Sequence, residues 1–64
     1  MTVKELILLS LENVESFEID LGTTTKALDN SLYEAIADHE ILAYYLTFDK
    51  DRNLPLIIIQ LKDY

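Results

Sequence analysis

The sequence contains no cysteine, no tryptophan, one glycine and one proline. Without cysteine the chain can form neither a disulfide nor a thiolate zinc site, and it has no cysteine nucleophile. One glycine cannot build the glycine-rich loop that cradles a phosphate group, and the HExxH and GxSxG motifs are also missing. These absences remove the common sequence signatures of an enzyme or of a cofactor site, so we predict a non-enzymatic protein without a cofactor.

Positive charge is scarce. Five Lys and Arg residues stand against 12 Asp and Glu residues, which gives a formal net charge of −7. The bases are isolated from one another at Lys4, Lys26, Lys50, Arg52 and Lys62. Binding to nucleic acid or to an anionic membrane draws its affinity from clustered bases, so we expect neither as a direct partner. A basic protein is the partner that this charge favours.

Long hydrophobic runs are missing as well. The apolar run Leu6–Leu9 ends at Ser10, which makes it too short for the hydrophobic region of a signal peptide or for a membrane span. The sequence therefore predicts a single domain over residues 1–64 in the cytoplasm.

The chain nevertheless has much apolar material, since half of its 64 residues are hydrophobic. A chain of this length buries only about 60% of its unfolded surface, and burial of that size barely offsets the lost conformational entropy. With no disulfide to help, association with another chain is the remaining way to bury more surface. We therefore expect a homodimer.

The N-terminal segment has the pattern of an amphipathic helix. Thr2 and Glu5 match a capping box, in which each side chain bonds the backbone of the other residue. The helical repeat places Val3, Leu6, Ile7, Leu11 and Val14 on one side. Leu8 and Leu9 fall outside that side, and a strand over Leu6–Leu9 is the competing interpretation.

Strand patterns follow. Ser16–Leu21 alternates apolar with polar residues and ends at Gly22, and the threonines at 23–25 can extend a hairpin or form an edge. Ser31 and Glu34 match a second capping box, which predicts a helix from Leu32 to about Asp38. Residues 40–48 and 54–61 are two further strands, joined by a polar turn at 49–53.

The predicted fold is therefore α+β, in the order α-β-α-β-β. It consists of a small antiparallel sheet of three to four strands with two helices on one face. The C-terminal hairpin is apolar on both faces, so a second copy of the chain is expected to cover the face that the helices leave open. Tyrosines often anchor interfaces, and the chain has them at Tyr33, Tyr44, Tyr45 and Tyr64. We expect one of the adjacent pair to lie in the core. The candidate interface residues are Leu8, Leu9, Tyr44, Tyr45, Leu56 and Ile58.

Two short polar segments have residue types that could bind a metal. Asp38-His39-Glu40 could form part of a metal or general acid–base site, although three polar residues at an element boundary are typical of a solvated corner. Asp49, Asp51 and Asn53 have the spacing of calcium ligands. Leu54 and Gln60 stand where that motif needs Gly and Glu, and an ordinary turn explains the same residues.

Acidic residues are spread through long stretches without a base. The candidate acidic surface consists of Glu12, Glu15, Glu18, Asp20, Asp38 and Glu40. Such a surface can steer a basic protein, or it can simply keep an apolar protein dispersed. The leading functional hypothesis is an acidic cytoplasmic protein–protein interaction or regulatory module. One alternative is an inhibitor that mimics nucleic acid and blocks a DNA- or RNA-binding protein. A second alternative is a small metal- or ligand-binding domain around Asp38, His39 and Glu40.

Overall fold

The computed structural model describes residues 1–63. Two helices and four strands follow one another along the chain as α1 (Val3–Ser10), β1 (Ser16–Asp20), β2 (Thr25–Ala27), α2 (Asn30–Ile36), β3 (Ile41–Asp49) and β4 (Leu54–Leu61). The predicted α+β class is confirmed, with a further short strand, β2, where the threonine segment was expected to form a hairpin or an edge.

The predicted capping box starts α1. The Thr2 hydroxyl oxygen accepts a hydrogen bond from the Glu5 backbone N–H at 3.3 Å. The Glu5 carboxylate accepts one from the Thr2 backbone N–H at 3.0 Å. Two backbone donors that the first helical turn leaves unpaired are satisfied in this way. The strand interpretation of Leu6–Leu9 is wrong, because these residues lie within α1.

The start of α2 differs from the prediction. Its N-cap is Asp29, whose Oδ1 accepts a hydrogen bond from the Leu32 backbone N–H at 2.8 Å, and Ser31 lies inside the first turn. Both residue types favour the N-cap, so the Ser31–Glu34 pattern was not decisive. The helix also ends earlier than expected, at Ile36, which is its buried residue.

The sheet is mixed, which corrects the antiparallel prediction. The strand order is β2-β1-β4-β3. β1 pairs antiparallel with β2, and β3 pairs antiparallel with β4, but β1 and β4 run parallel. The pairing of the first strand with the last requires a crossover, which β2, α2 and β3 supply. The predicted C-terminal hairpin is confirmed by the pairing of β3 with β4, but the strand patterns did not predict that β1 lies beside β4.

Both helices pack on one face of this sheet. The register places Phe17 beside Ile57 and Ile19 beside Ile59, so these side chains share a face. The core cluster consists of Val3, Leu6, Ile7, Val14, Ile19, Ile36, Ile57, Ile59 and Leu61. Leu11 was predicted to join the apolar side of α1, but it is exposed, because the helix ends at Ser10.

Two turns hold the strand ends. Gly22 follows β1 with φ +96°, a value that L side chains rarely adopt, so glycine suits the backbone there. At the other end of the sheet, the Asp49 carboxylate accepts hydrogen bonds from the backbone N–H groups of Asp51 and Arg52, at 3.0 and 3.3 Å. Asn53 completes that turn with φ 59°, which asparagine tolerates better than most residues.

Candidate interaction surface

The most unusual surface of the protein is β3. Five of its large apolar side chains have exposed fractions between 47% and 67%. We call these residues the β3 surface: Leu42, Tyr44, Tyr45, Leu46 and Phe48. Several large exposed apolar side chains concentrated on one strand are a candidate interaction site.

The position of β3 in the sheet explains this exposure. β3 is an edge strand with β4 as its one neighbour in the sheet order. The register puts Tyr44 beside Ile59 and Leu46 beside Ile57, so Tyr44 and Leu46 share the helix-bearing face with buried core residues. Both residues are nevertheless exposed, because α1 and α2 pack over the inner strands and leave the edge uncovered.

Tyr45 lies on the opposite face of the sheet, beside Ile58, which is partly buried. The expectation that one of Tyr44 and Tyr45 lies in the monomer core is wrong, since both are about half exposed. Leu56 was a candidate interface residue, but it is buried within the chain and is not accessible to a partner. Tyr64, another candidate anchor, lies outside the described residues.

Helix α1 carries further exposed leucines on its side of the sheet. Leu8 and Leu9 were predicted to fall outside the core side of the helix, and they are 63% and 71% exposed. Leu11, in the turn after α1, is also exposed. The backbone N–H of Val3 bonds the carbonyl of His39, so α1 begins close to the start of β3. The exposed leucines at the end of α1 are thus a second group of exposed apolar side chains.

The acidic residues do not form one uniform surface. Glu12, Glu15, Asp38 and Glu40 are exposed, whereas Glu18 and Asp20 are partly buried on the open face of the sheet. Glu18 accepts a hydrogen bond from the Thr25 hydroxyl at 2.6 Å. Asp20 accepts one from the Gly22 backbone N–H at 2.8 Å and one from the Gln60 side chain at 3.2 Å. Glu18 and Asp20 are thus hydrogen-bonded within the sheet, and the four exposed acids lie outside the strands.

Hydrogen bonds shift the pKa of two carboxyl groups. The backbone N–H of Gly22 and, to a smaller extent, the Gln60 amide lower the pKa of Asp20. The backbone N–H and hydroxyl of Thr2 lower the pKa of Glu5. Donors that point at a carboxylate favour its charged form. Both groups act in local structure, at a turn and at a helix cap.

The segment Asp38-His39-Glu40 connects α2 to β3. The Nε2 atom of His39 lies 2.6 Å from the carbonyl oxygen of Lys62. The Glu40 carboxylate lies 3.0 Å from the α-ammonium of Met1. Asp38 is exposed. Among residues 1–63, no group of three or more His, Cys, Asp or Glu side chains is placed to hold a metal ion. Through these contacts His39 and Glu40 connect the segment between α2 and β3 to Lys62 and to Met1.

Three clefts on the described part of the surface are small. One of about 230 Å³ is lined by Asp20, Leu21, Gly22, Gln60 and Leu61. A second, of about 190 Å³, lies beside the start of β1, and a third, of about 150 Å³, lies between the turn after α1 and the residues Leu54 and Pro55. Sites for small molecules usually enclose about 300 to 1,000 Å³. The β3 surface, rather than a pocket, is therefore the candidate functional site.

Sequence reasoning missed three residues of this surface, namely Leu42, Leu46 and Phe48. The sequence did predict that these residues belong to a strand that is apolar on both faces. The position of that strand at the sheet edge was not visible, because strand order is a long-range property. Once the strand order is known, the same pattern identifies residues 42–48 as exposed.

No protein-family model, no curated protein and no solved structure matches this chain. Within residues 1–63, no helix has the length and apolar character needed to cross a membrane.

Proposed function

We propose that this chain is a small acidic, non-enzymatic interaction module of the cytoplasm, which acts as a homodimer and presents acidic side chains to a basic protein. The observation that carries the proposal is the β3 surface, an exposed apolar strand with no charged residue from Ile41 to Phe48. Burial of such a surface against a second copy removes apolar area from water, which is the main driving force of association.

Charge supports self-association through this strand in particular. Each copy carries a formal net charge of −7, so two copies repel each other over most approaches. The uncharged β3 surface is a place where they can touch without bringing carboxylates together. The exposed acids Glu12, Glu15 and Asp38 lie outside β3, so they stay available to a positively charged partner.

Light scattering at micromolar concentration tests the homodimer. We expect a mass of about twice 7.4 kDa. Leu46→Lys introduces a charge into the β3 surface and should shift the protein to monomer. Thr24→Lys adds the same charge in the turn between β1 and β2 and should leave the dimer intact. Circular dichroism verifies that both variants fold. A mass of one chain for the native protein would refute self-association.

Salt dependence separates the two kinds of contact. An apolar dimer should keep its mass as ionic strength rises, because screening weakens the repulsion between the copies. Binding of a basic protein to the acidic surface should weaken over the same range. Pull-down from host cells at two salt concentrations, with wild type and Glu12→Gln/Glu15→Gln protein, measures this. A basic partner captured equally by both would contradict the role of these acids.

Nucleic-acid mimicry is the alternative proposal, and the exposed pair Glu12 and Glu15 next to the start of β4 favours it. It predicts a partner that DNA or RNA competes away, with a steep loss of binding in salt. The metal- or ligand-binding alternative predicts that a chelator lowers the thermal stability of native protein and that His39→Ala abolishes this effect. An unchanged melting temperature would reject the metal version.

A further inference from the structure

The free part of the β3 edge has sharp limits. At the beginning of the strand, the chain's own N-terminus occupies the outer side. The backbone N–H of Ile41 bonds the carbonyl of Met1 at 2.9 Å, and the N–H of Val3 bonds the carbonyl of His39 at 3.1 Å. Thr2 and Glu40 form an antiparallel bridge between these two bonds. The edge that remains open for pairing therefore runs from Leu42 to Phe48.

The hydrogen-bond alternation of the sheet shows which backbone groups point outward along this edge. The N–H of Lys62 donates to the carbonyl of Glu40, so every second residue of β4 before Lys62 bonds to β3. Those residues are Gln60, Ile58 and Leu56, and their partners are Ala43, Tyr45 and Thr47. The alternate residues Tyr44, Leu46 and Phe48 then direct their N–H and C=O groups away from β4. Pro55 is the partner of Phe48. This pair makes no hydrogen bonds between β3 and β4, so the N–H that proline lacks is not needed there for that pairing.

This edge lacks the features that usually prevent strands from pairing. Edge strands are protected by charged side chains, prolines, bulges or short length. Between Leu42 and Phe48 there is neither charge nor proline, and the one register shift lies at the start of this segment, between Ile41 and Ala43, so the run 43–48 is regular. The opposite edge of the sheet, β2, has three residues and includes Lys26. The two edges thus differ, and β3 is the one suited to pairing.

We propose that β3 pairs antiparallel with β3 of a second copy about a two-fold axis at Tyr45, which joins the two sheets into one. This inference rests on the proposed homodimer and specifies its geometry. Tyr45 is the midpoint of the free edge Leu42–Phe48. A two-fold axis at that position places Tyr44 opposite Leu46 and Leu42 opposite Phe48 of the second copy. Large apolar side chains that lie directly opposite each other stabilise such a pair.

The paired segment brings no like charges together. Residues 41–48 are uncharged, so no acid of one copy lies opposite an acid of the other between Leu42 and Phe48. Like charges directly opposite each other would destabilise the pair.

The exposed area of the β3 surface sets an upper bound on what the dimer can bury. Aromatic side chains bury about 150–250 Å² when covered completely, so half-exposed residues of this size offer about 100 Å² each. Complete cover of the five residues would supply about 500 Å² per copy, or about 1,000 Å² in total, which reaches the lower limit of a biological interface.

Single-cysteine cross-linking tests the register, since the native chain has no cysteine. In the proposed pair Tyr45 faces its own copy at a position without direct hydrogen bonds, where Cα atoms lie about 4.5 Å apart, within disulfide range. Tyr45→Cys should form a disulfide dimer with oxidised glutathione. Ala43→Cys lies on the same face two residues away, and its two copies would be about 13 Å apart, so it should stay monomeric on a non-reducing gel.

Hydrogen exchange of the native protein supplies a measurement that needs no variant. The amides of Tyr44, Leu46 and Phe48 should exchange more slowly as protein concentration rises, whereas the amide of Ala27, which points outward at the other edge because Leu28 bonds to β1, should not change. A native dimer with no Tyr45→Cys cross-link and no protection of these amides would overturn the β3 pairing and leave self-association standing. A native protein that scatters light as a monomer would overturn both. Cross-linking of Ala43→Cys as efficient as that of Tyr45→Cys would reject this register.

Discussion

The side-chain amide of Gln60 donates a hydrogen bond to the Asp20 carboxylate, with Nε2 and Oδ2 separated by 3.2 Å. The two residues are direct partners in the parallel pair of β1 and β4, although 40 positions separate them in the chain. The other carboxylate oxygen accepts from the N–H of Gly22, so Asp20 connects the sheet to the turn that ends β1.

The lowered pKa of Asp20 makes stability depend on pH. Because the folded-state pKa lies below the ordinary value of 3.8, the charged carboxylate stabilises the folded protein above that value. This contribution is lost as the pH falls through the folded-state pKa. Urea unfolding at a series of acidic pH values should show a smaller loss of stability for Asp20→Asn than for wild type.

Asp38→Asn is the control for that experiment, since it removes an exposed carboxylate elsewhere. It should leave the acid-dependent loss closer to that of wild type. If Asp20→Asn and wild type lose stability in parallel throughout the acidic range, the hydrogen bonds from Gly22 and Gln60 do not stabilise the charged form.

The N-cap of α2 can be assigned by two substitutions. Asp29→Ala removes the acceptor of the Leu32 N–H, and loss of an N-cap costs about 1 kcal/mol of the free energy of unfolding. Ser31→Ala should change that free energy by a few tenths of a kcal/mol, because Ser31 lies in the first turn. Chemical denaturation measures both. A larger effect at Ser31 would restore the cap that the sequence pattern predicted.

The core is most sensitive at the centre of the sheet. Ile59 is fully buried beside Ile19, which is also fully buried. Ile59→Ala should lower the free energy of unfolding by about 2–5 kcal/mol, because the neighbouring side chains cannot close the cavity completely. Ile59→Val removes one methylene and should cost about 1 kcal/mol. Equal small losses for both variants would show that the site is loosely packed.

The proposed homodimer predicts that native stability depends on protein concentration. A ligand or partner that binds the folded chain alone raises its apparent stability, and a second copy acts in the same way. Unfolding experiments should therefore be done at one protein concentration. A melting temperature that rises with protein concentration would support the proposed dimer, and one that stays constant would contradict it.

Local patterns were sufficient for most elements of the fold. The capping box at Thr2, the alternation in β1 and the bounds of β4 all depend on residues near one another in the chain, and the structure agrees with each of them. At α2 the local information was ambiguous, because Asp29 and Ser31 are both good N-cap residues and only the folded backbone selects between them.

The sequence by itself determined that the chain is small, acidic and α+β, and that its C-terminal hairpin is apolar on both faces. Only the tertiary structure decided that β1 lies beside β4 in parallel and that β3 is therefore left at the edge. Side-chain alternation is a short-range property, whereas strand order depends on which distant segments bury the most surface together. The same strand pattern can describe a buried central strand or an exposed edge, and here the pairing of the first strand with the last made it an edge.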